Sequence, residues 1–340
     1  MSGTAPLITV GLPVYNGMPY LPESLESLLA QTYSDFEILA VNDGSTDNSL
    51  EYLRSVRDPR LRVVSQKNHG LTATLNRMLR EVRSPWLVRH DADDVAYPNR
   101  FARLVVQIQK QPEAGMFYSL ANYYPRGSFG QFRETRGTPA DIRALVLSGY
   151  LPSICHPTVV LNVEKALSLG GYRFNLHVED TDLWWRMALK YDIQFVPEVL
   201  VGFRQNHMSV SSKNLTDQAA HTAYVQYLLL SHLQGLQPLP VEDVRSVLLR
   251  IRNVKKLRFK ARIRACNMEL GRGNRRKALY EAVSAFAASP RAFLQRLRDE
   301  FTGQRTIATG ENPALFLSHK DMLWPRKQTS AMREFQPLAQ

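Results

Sequence analysis

Three aspartates stand within four positions of the 340-residue chain, directly after a short apolar run. Residues 86–88 predict a buried strand, and Asp91, Asp93 and Asp94 follow it. Carboxylates at the carboxyl end of such a strand face the crevice in which open α/β sheets bind ligands. Like charges this close repel one another unless a cation or hydrogen-bond donors lie among them, and oxygen ligands suit Mg²⁺ or Mn²⁺. The stretch therefore indicates either a metal site or a solvated acidic turn that caps a helix.

A second acidic pair, Glu179 and Asp180, opens a segment with helical spacing that continues through Leu183 and Met187. Acidic residues in a first helical turn are stabilised by the helix dipole, which accounts for the pair without any chemistry. A positioned carboxylate can also take a proton from a reacting hydroxyl group. The pair is therefore either a feature of the helix start or a general base.

Both acidic stretches must be positioned by secondary structure, and residues 7–110 alternate regularly between strand and helix patterns. Four apolar segments predict strands, and each is followed by a segment with helical spacing. This order is typical of a parallel, doubly wound sheet, in which the carboxyl ends of the strands share one edge. The residues that follow the four strands, and are therefore expected at one site, are Asn16, Asp43, Asn68 and Asp91.

The composition is that of an ordinary globular protein, with 44% hydrophobic and 22% charged residues. The net charge of +12 is unevenly placed, because residues 241–340 carry 21 Lys and Arg against 9 Asp and Glu, whereas the first 240 residues carry 22 of each. The sequence has no signal-peptide pattern and no apolar run of about 18 residues. Its two cysteines match no metal or disulfide spacing. These features predict a cytoplasmic protein with two regions of different character.

Taken in order, the motifs of residues 7–207 resemble the inverting nucleotide-sugar glycosyltransferases of family 2, which have the GT-A fold. Each motif is short, but their order and spacing are specific. The matching segments are Val10-Gly-Leu-Pro-Val-Tyr-Asn16-Gly17, Val41-Asn-Asp43-Gly-Ser45-Thr-Asp47, Asn68-His-Gly70, Asp91-Ala-Asp93-Asp94, Pro98-Asn-Arg100, His156-Pro157, Gly170-Gly-Tyr172, Glu179-Asp180-Thr-Asp-Leu-Trp184, Arg186 and Arg204-Gln-Asn-His207.

The resemblance implies an α/β GT-A domain with a Rossmann-like, mostly parallel central sheet at residues 5–210. A basic helical region is expected at 211–302 and an irregular tail at 303–340. The implied activity is metal-assisted transfer of a sugar, with inversion, from a nucleoside diphosphate sugar to a hydroxyl group of a glycan or lipid-linked acceptor. A UDP-sugar is favoured, and assembly of bacterial surface polysaccharide in the cell envelope is the implied setting.

The resemblance also implies roles for single residues. Asp180 would be the general base, with Glu179 orienting it. The metal, Mn²⁺ or Mg²⁺, would be held by Asp93, with Asp91 and His207 as further candidates, and Asp91 would also bind the ribose. Arg100 and Arg77 are candidates to offset the charge of the leaving diphosphate. The other residues expected to contact the nucleotide sugar are Pro13, Val14, Tyr15, Asn16, Asp43, Asn68 and Arg204.

The segment 250–264 holds eight basic residues and no acidic one among apolar residues. Leu257, Phe259 and Ile263 alternate as in a strand, whereas Val247, Ile251 and Val254 have helical spacing. Such a segment either makes a peripheral contact with an anionic membrane, at its inner face, or is the solvated face of a packed element. Nucleic acid is not expected, because Phe259 is the single aromatic residue of the segment and a single-strand binder interleaves several with its basic residues.

Two other activities remain open at this point. A nucleotide-sugar-binding protein without transferase activity would not need Asp180 together with the other aspartates. A sugar-phosphate nucleotidyltransferase also uses acidic metal sites on a Rossmann-like sheet, but the turn after residue 12 lacks the glycine-rich basic loop that such enzymes carry.

Overall fold

The computed structural model describes residues 6–124, 131–204, 215–252, 254–302 and 307–325. Their strands are β1 (Ile8–Val14), β2 (Phe36–Asp43), β3 (Leu61–Gln66), β4 (Trp86–Arg89), β5 (Val95–Ala96), β6 (Met116–Tyr124), β7 (Leu151–Pro152), β8 (Val160–Asn162), β9 (Ile193–Arg204) and β10 (Ala308–Thr309). Eight of them form one mixed sheet in the order β3-β2-β1-β4-β8-β6-β9-β5, while β7 and β10 pair separately.

Helices cover the sheet and form most of the C-terminal part of the chain. They are α1 (Leu21–Leu29), α2 (Ser49–Ser55), α3 (Leu71–Glu81), α4 (Arg100–Lys110), α5 (Pro139–Leu147), α6 (Val163–Ser168), α7 (Glu179–Lys190), α8 (Leu215–Leu233), α9 (Val241–Ile251), α10 (Val254–Gly271), α11 (Arg275–Ala288), α12 (Pro290–Thr302), α13 (Pro313–Leu317) and α14 (Lys320–Leu323). A short 3₁₀ turn lies at His156–Thr158.

The predicted parallel sheet at the start of the chain is confirmed. Strands β1 to β4 pair in parallel, and every residue of β1 is buried, as expected of a central strand covered on both faces. Helix α4 shows how a covering helix is specified, because Phe101, Leu104, Val105 and Ile108 place one apolar stripe against the sheet. The carboxyl ends of β1 to β4 therefore share one edge, as predicted.

The expected basic helical region after residue 210 is also helical in the structure. It is not a separate lobe, because Tyr227 of α8 and Leu248 of α9 share one hydrophobic cluster with Trp184 of α7. None of the helices in the described ranges is long and apolar enough to cross a bilayer.

Residues 307–325, part of the tail that the sequence predicts to be irregular, pack against the rest of the domain. Strand β10 pairs with β7, and Leu323 and Trp324 are buried in the core that α8 also lines. The Trp324 indole donates to Ser231 Oγ at 2.9 Å, and Tyr227 Oη donates to the Leu323 carbonyl at 2.7 Å. The segment has little regular structure of its own, so local patterns gave no sign that distant side chains would hold it.

Truncation of Leu323 should therefore destabilise the whole domain. Leu323→Ala empties a fully buried position and is expected to lower the free energy of unfolding by about 2–5 kcal/mol. Its neighbour Met322 is 56% exposed, so Met322→Ala is expected to change stability by no more than about 0.5 kcal/mol. Denaturant unfolding of both variants checks this. Equal stability of the two variants would show that the tail is not part of the core.

Candidate active site

Strand β4 delivers the first acidic stretch to the shared edge of the sheet. The strand runs parallel to β1, and the His90 amide still donates to the Gly11 carbonyl at 3.1 Å one residue beyond it. The chain then turns, with the Asp94 amide donating to the Asp91 carbonyl at 3.2 Å. The turn places the three aspartates just past the end of a buried strand, as the sequence predicted.

Arg89, the last residue of β4, is fully buried behind these aspartates. Its Nη2 donates to Asp91 Oδ1 at 2.6 Å and its Nη1 to the His90 carbonyl, while its Nε has no partner in the described part of the chain. Burial works against the charge, but Asp91, the Tyr172 hydroxyl and Asp94 outweigh burial and raise the pKa of the guanidinium. The structure thus keeps a permanent positive charge at the base of the site.

Asp94 is the most deeply buried of the three aspartates. Its Oδ1 accepts from the Arg204 amide at 2.7 Å, whereas its Oδ2 has no hydrogen-bond partner within the described ranges. Burial, and then repulsion from Asp93 and Asp91, raise the pKa of the Asp94 carboxyl well above its usual range. An unsatisfied oxygen among mutually repelling carboxylates is the environment that a cation stabilises.

Arg204, at the end of β9, is fixed against the same turn. Its Nε donates to the Asp93 carbonyl at 2.7 Å, and its Nη2 pairs with Glu23 of α1. The guanidinium also lies over the rings of Tyr20 and Tyr124, at 4.5 and 4.8 Å from their centroids. Arg204 therefore lies at the aspartate turn. Most of its guanidinium is occupied by contacts with protein groups that stabilise this turn.

Glu179 and Asp180 form the first turn of α7. Asp180 Oδ1 accepts from the Thr181 amide at 2.6 Å and from Thr181 Oγ1 at 3.2 Å, which fixes the orientation of the carboxylate. Burial raises the pKa of Asp180 to about 6, with the Thr181 hydrogen bonds and Arg89 opposing the rise. Burial and the charge of Asp180 raise the pKa of Glu179 to about 8. At neutral pH the pair therefore holds one ionised and one protonated carboxyl group.

The charge of Arg89 joins the two acidic centres. Arg89 contacts Asp91 directly. Its charge also partly offsets the rise in pKa that burial causes at Glu179 and Asp180. It also lowers the pKa of the Tyr172 hydroxyl, which burial raises. The sequence predicted the two acidic centres but not this cation between them. The one sign of this cation in the sequence was that Arg89 is a charged residue in an otherwise apolar strand.

A network of buried ions sets the start of α7. Asp182 is fully buried and pairs with both Arg173 and Arg186, each at 2.7 Å. Arg186 also donates to the carbonyls of Leu169 and Gly171, at 2.6 and 2.8 Å. The network therefore ties the first turn of α7 to the Gly170-Gly171 turn that precedes it.

The Gly171 turn in turn positions Tyr172. Asn76 of α3 accepts from the Tyr172 amide at 2.9 Å and donates to its carbonyl at 2.7 Å. The Tyr172 hydroxyl lies 3.0 Å from His156 Nε2, and the His156 ring packs edge-on against Trp184. Burial, and then Arg89, lower the pKa of His156 well below its usual range, so this imidazole is neutral at physiological pH.

Asp43 holds the loop between β3 and α3. Its Oδ1 accepts from Gln66 Nε2 at 2.7 Å and from the His69 amide at 2.9 Å, and its Oδ2 accepts from the Gly70 amide at 2.9 Å. Asn68 is exposed in this loop. The backbone of Asn68 packs closely against Gly44. A Cβ atom at position 44 would lie 2.6 Å from the Asn68 backbone nitrogen, so a larger residue would not fit there. Asp43 therefore has a structural role whether or not it also contacts a ligand.

The end of β1 forms the neighbouring wall. Pro13 and Val14 are buried in the strand, whereas Tyr15 and Asn16 are exposed beyond it. Asn16 has a positive φ of 50°, and its Oδ1 accepts from the Thr46 amide at 2.8 Å. These contacts join the turn after β1 to the turn after Asp43, so the predicted nucleotide residues lie on adjacent loops.

Two basic residues proposed to offset phosphate charge are used elsewhere. Arg100 is fully buried and donates to the carbonyls of Arg89 and Pro157, at 2.8 and 2.6 Å, and therefore braces the protein interior. Arg77 pairs with Glu81 at 2.6 Å on the surface of α3. His207 lies outside the described residues, which contain no group of three or more metal-ligating side chains.

Comparison with known proteins shows what this domain is similar to. A family model described as glycosyl transferase family 2 matches residues 9–167, which are slightly under half of the chain. The matched part of the chain is thus similar to family 2 of the glycosyltransferases. The match includes the aspartate turn and Arg89, and it ends before Glu179 and Asp180.

Curated relatives show the same similarity. EpsE of Bacillus subtilis, named as a candidate glycosyltransferase, is 29% identical over 197 residues, which are 54% of this chain and 67% of EpsE. The glycosyltransferase GlyG of Streptococcus pneumoniae is 37% identical over 121 residues, which are 35% of this chain and 39% of GlyG. The alignments thus span about two thirds of the first relative and well under half of the second.

Solved structures extend the likeness in fold beyond the family match. Residues 1–349 of S. aureus TarS, solved in complex with UDP-GlcNAc, superpose with a TM-score of 0.52 at 15% identity, covering 82% of this chain and 91% of that one. The mannosyltransferase PcManGT from Pyrobaculum calidifontis, solved with GDP-Man and Mn²⁺, gives 0.52 at 18% identity, covering 94% and 88%. The expected GT-A fold is confirmed.

The Gly170-Gly171 turn provides a test of how Tyr172 is positioned. Both glycines have positive φ, 81° and 62°, so either substitution by alanine should cost about 1–2 kcal/mol of unfolding free energy. A Cβ at Gly171 would also lie 2.5 Å from Asn76 Oδ1, whereas nothing lies within 4 Å at Gly170. Gly171→Ala is therefore expected to cost about 1–3 kcal/mol more than Gly170→Ala, because it also breaks the Asn76 hydrogen bonds. Denaturant unfolding measures both, and equal costs would contradict the role of Asn76.

Proposed function

We propose that this chain is an inverting glycosyltransferase that moves a sugar from a nucleoside diphosphate sugar to a hydroxyl group of a glycan or lipid-linked acceptor. UDP is the favoured nucleotide, and assembly of cell-envelope polysaccharide is the proposed setting. The observation that carries the proposal is the buried Arg89, which pairs with Asp91 and acts electrostatically on Glu179 and Asp180. One cation thus links a candidate binding site for the sugar donor to a candidate base.

The nucleotide would bind across the loops after β1, β2 and β4. The base would lie against the wall formed by Pro13, Val14 and Tyr15, with Asn16 shaping the turn. Asp43 already accepts three hydrogen bonds, and a carboxylate offers about four acceptor positions. One position therefore remains for a ring N–H such as that of uracil. Asn68, in the adjoining loop, is a further candidate contact.

The residues of the aspartate turn fit a divalent cation, Mn²⁺ or Mg²⁺. Asp93 and Asp91 would hold it, with His207 as a further candidate ligand, and the unsatisfied Asp94 Oδ2 indicates an environment that favours positive charge. Such ions are commonly bound through one or two carboxylates together with substrate phosphates. When bound, the ion would neutralise charge on the departing diphosphate. Asp91 would also orient the ribose, and Arg204 would keep the turn in place.

Asp180 would deprotonate the acceptor hydroxyl group as that group attacks the sugar from the face opposite the diphosphate. One Asp180 oxygen is held by Thr181, which leaves the other for the acceptor. A raised pKa brings the carboxylate nearer to the pH at which it works, so it accepts a proton more readily. Glu179, protonated at neutral pH, would orient its neighbour by donating a proton in a hydrogen bond.

Nucleotide binding can be tested by thermal stability. UDP at about a hundred times its Kd, with Mn²⁺ present, should stabilise the protein by about 2.7 kcal/mol and raise its melting temperature. The shift should vanish with EDTA and in Asp93→Ala, because the diphosphate would then lack its counter-charge. GDP, dTDP and CMP are measured alongside to identify the base.

The exposed Asp35 provides a matched control. It lies just before β2, at the opposite edge of the sheet, so Asp35→Asn should keep the full shift. Absence of a shift with all four nucleotides would refute the proposed binding site for the sugar donor. Pyrophosphate release from a nucleoside triphosphate and a sugar phosphate would instead indicate a nucleotidyltransferase.

Removing the proposed base should abolish turnover without abolishing nucleotide binding. Asp180→Asn is expected to lower kcat by about 10²–10⁴-fold, measured as nucleoside diphosphate released from the sugar donor. Wild-type kcat should fall as the pH drops below about 6, because Asp180 becomes protonated there, and should level off above that pH.

Glu179→Gln tests whether Glu179 only orients Asp180 and does not itself act as the base. Glutamine can still donate a hydrogen bond to Asp180, so this variant should lose much less activity than Asp180→Asn. Greater loss in Glu179→Gln would reverse the assignment. Unchanged turnover in Asp180→Asn would exclude Asp180 as the base.

A further inference from the structure

Helix α11 carries large apolar side chains on its outside and small ones on its inside. Leu279, Val283 and Phe286 recur at helical spacing on one face and are 67, 60 and 45% exposed. Ala278 and Ala285, on the opposite face, are buried in the hairpin that α11 forms with α10. A solvated helix normally has the reverse arrangement, so this outer face is suited to contact with an apolar environment.

The apolar outer face extends beyond these three residues. Tyr280 is exposed on α11, and Leu294 of α12 is 58% exposed. Leu294 adjoins Phe293, whose ring packs edge-on against Phe286 at 5.6 Å between centroids. The Phe286–Phe293 contact joins the two helices, and their exposed apolar side chains, Leu279, Tyr280, Val283, Phe286 and Leu294, are called the α11–α12 face.

This surface differs from the membrane contact that the sequence suggested at residues 250–264. In the structure, Phe259 of α10 is buried, and Leu257 and Ile263 are partly covered. Most of the apolar side chains of that segment therefore take part in packing, whereas Val254 is 48% exposed. A larger group of exposed apolar side chains lies on α11 and α12.

The charge around the α11–α12 face is positive. Arg275, Arg276 and Lys277 at the start of α11 and Arg291 at the start of α12 are all exposed, and none has an ion-pair partner in the described part of the chain. Glu281, the acidic residue of α11, is neutralised by Arg262 at 3.0 Å. The surface thus combines apolar side chains with cations that have no ion-pair partner among the described residues.

We propose that the α11–α12 face docks on the surface of an anionic phospholipid bilayer. Leu279, Val283 and their apolar neighbours would enter the interface between headgroups and acyl chains, while the basic side chains bind lipid phosphates. A second copy of the chain fits this face poorly, because a symmetric contact would bring the same cations together. The inference is independent of the proposed sugar transfer, since it uses none of the residues of that site.

Co-sedimentation of the full chain with vesicles tests the proposal. The protein should bind vesicles of phosphatidylcholine with phosphatidylglycerol, bind pure phosphatidylcholine at least about tenfold more weakly, and be released by high salt. The double variant Leu279→Ser with Val283→Ser should lose at least about tenfold in binding. Both side chains are exposed, so its melting temperature should match that of the wild type.

Leu147→Ser is the matched control, because Leu147 is an exposed leucine of α5, far from this face in sequence. It should bind anionic vesicles as the wild type does, whereas Val283→Trp should bind more tightly, since tryptophan favours the bilayer interface. Wild-type binding by the double serine variant would overturn the proposal. So would a dimer of the wild type that the double variant converts to a monomer, because the face would then be a self-association surface.

Discussion

A single buried cation organises the candidate active site. Arg89 lies at the end of a central strand with its guanidinium paired to Asp91, and its charge also stabilises the ionised forms of Glu179 and Asp180. Arg89 thus interacts electrostatically with carboxyl groups from two parts of the chain. Without this fixed positive charge, repulsion among those carboxyl groups would be offset less. Arg89 is held in turn by β4, which the parallel pairing with β1 fixes in place.

Further polar contacts hold the elements around Arg89 in place. Asp182 with Arg173 and Arg186 fixes the start of α7, and Asn76 holds Tyr172 on the other side. Arg204 braces the aspartate turn from β9. Many of these groups are individually costly to bury, and several of them, such as Asn76 with Tyr172 and Arg204 with Asp94, are satisfied by partners far away in the sequence. The site is therefore coupled to the integrity of the fold around it.

The C-terminal part of the chain has two distinct roles. Helices α8 and α9, together with residues 307–325, complete the hydrophobic core beside α7 and thus support the helix that carries Glu179 and Asp180. Helices α11 and α12 instead leave an apolar face exposed among basic residues. The excess of positive charge after residue 240 belongs in part to this surface. One region thus combines support of the catalytic domain with a surface suited to an external partner.

The sequence alone determined the strand–helix alternation, the shared strand edge and the two acidic centres, because these depend on local periodicity and on residues adjacent in the chain. It also indicated the similarity to family 2, through short motifs in a fixed order. The tertiary structure decided which charges meet. Arg89 appears in the sequence as one polar residue in a strand, and only the fold places it beside both acidic centres. The sequence suggested that Arg100 could bind a phosphate group, but its side chain is buried. It also suggested that residues 307–325 are irregular, but they pack against the core. In each case the deciding contacts join residues distant in the chain, and local patterns carry no information about them.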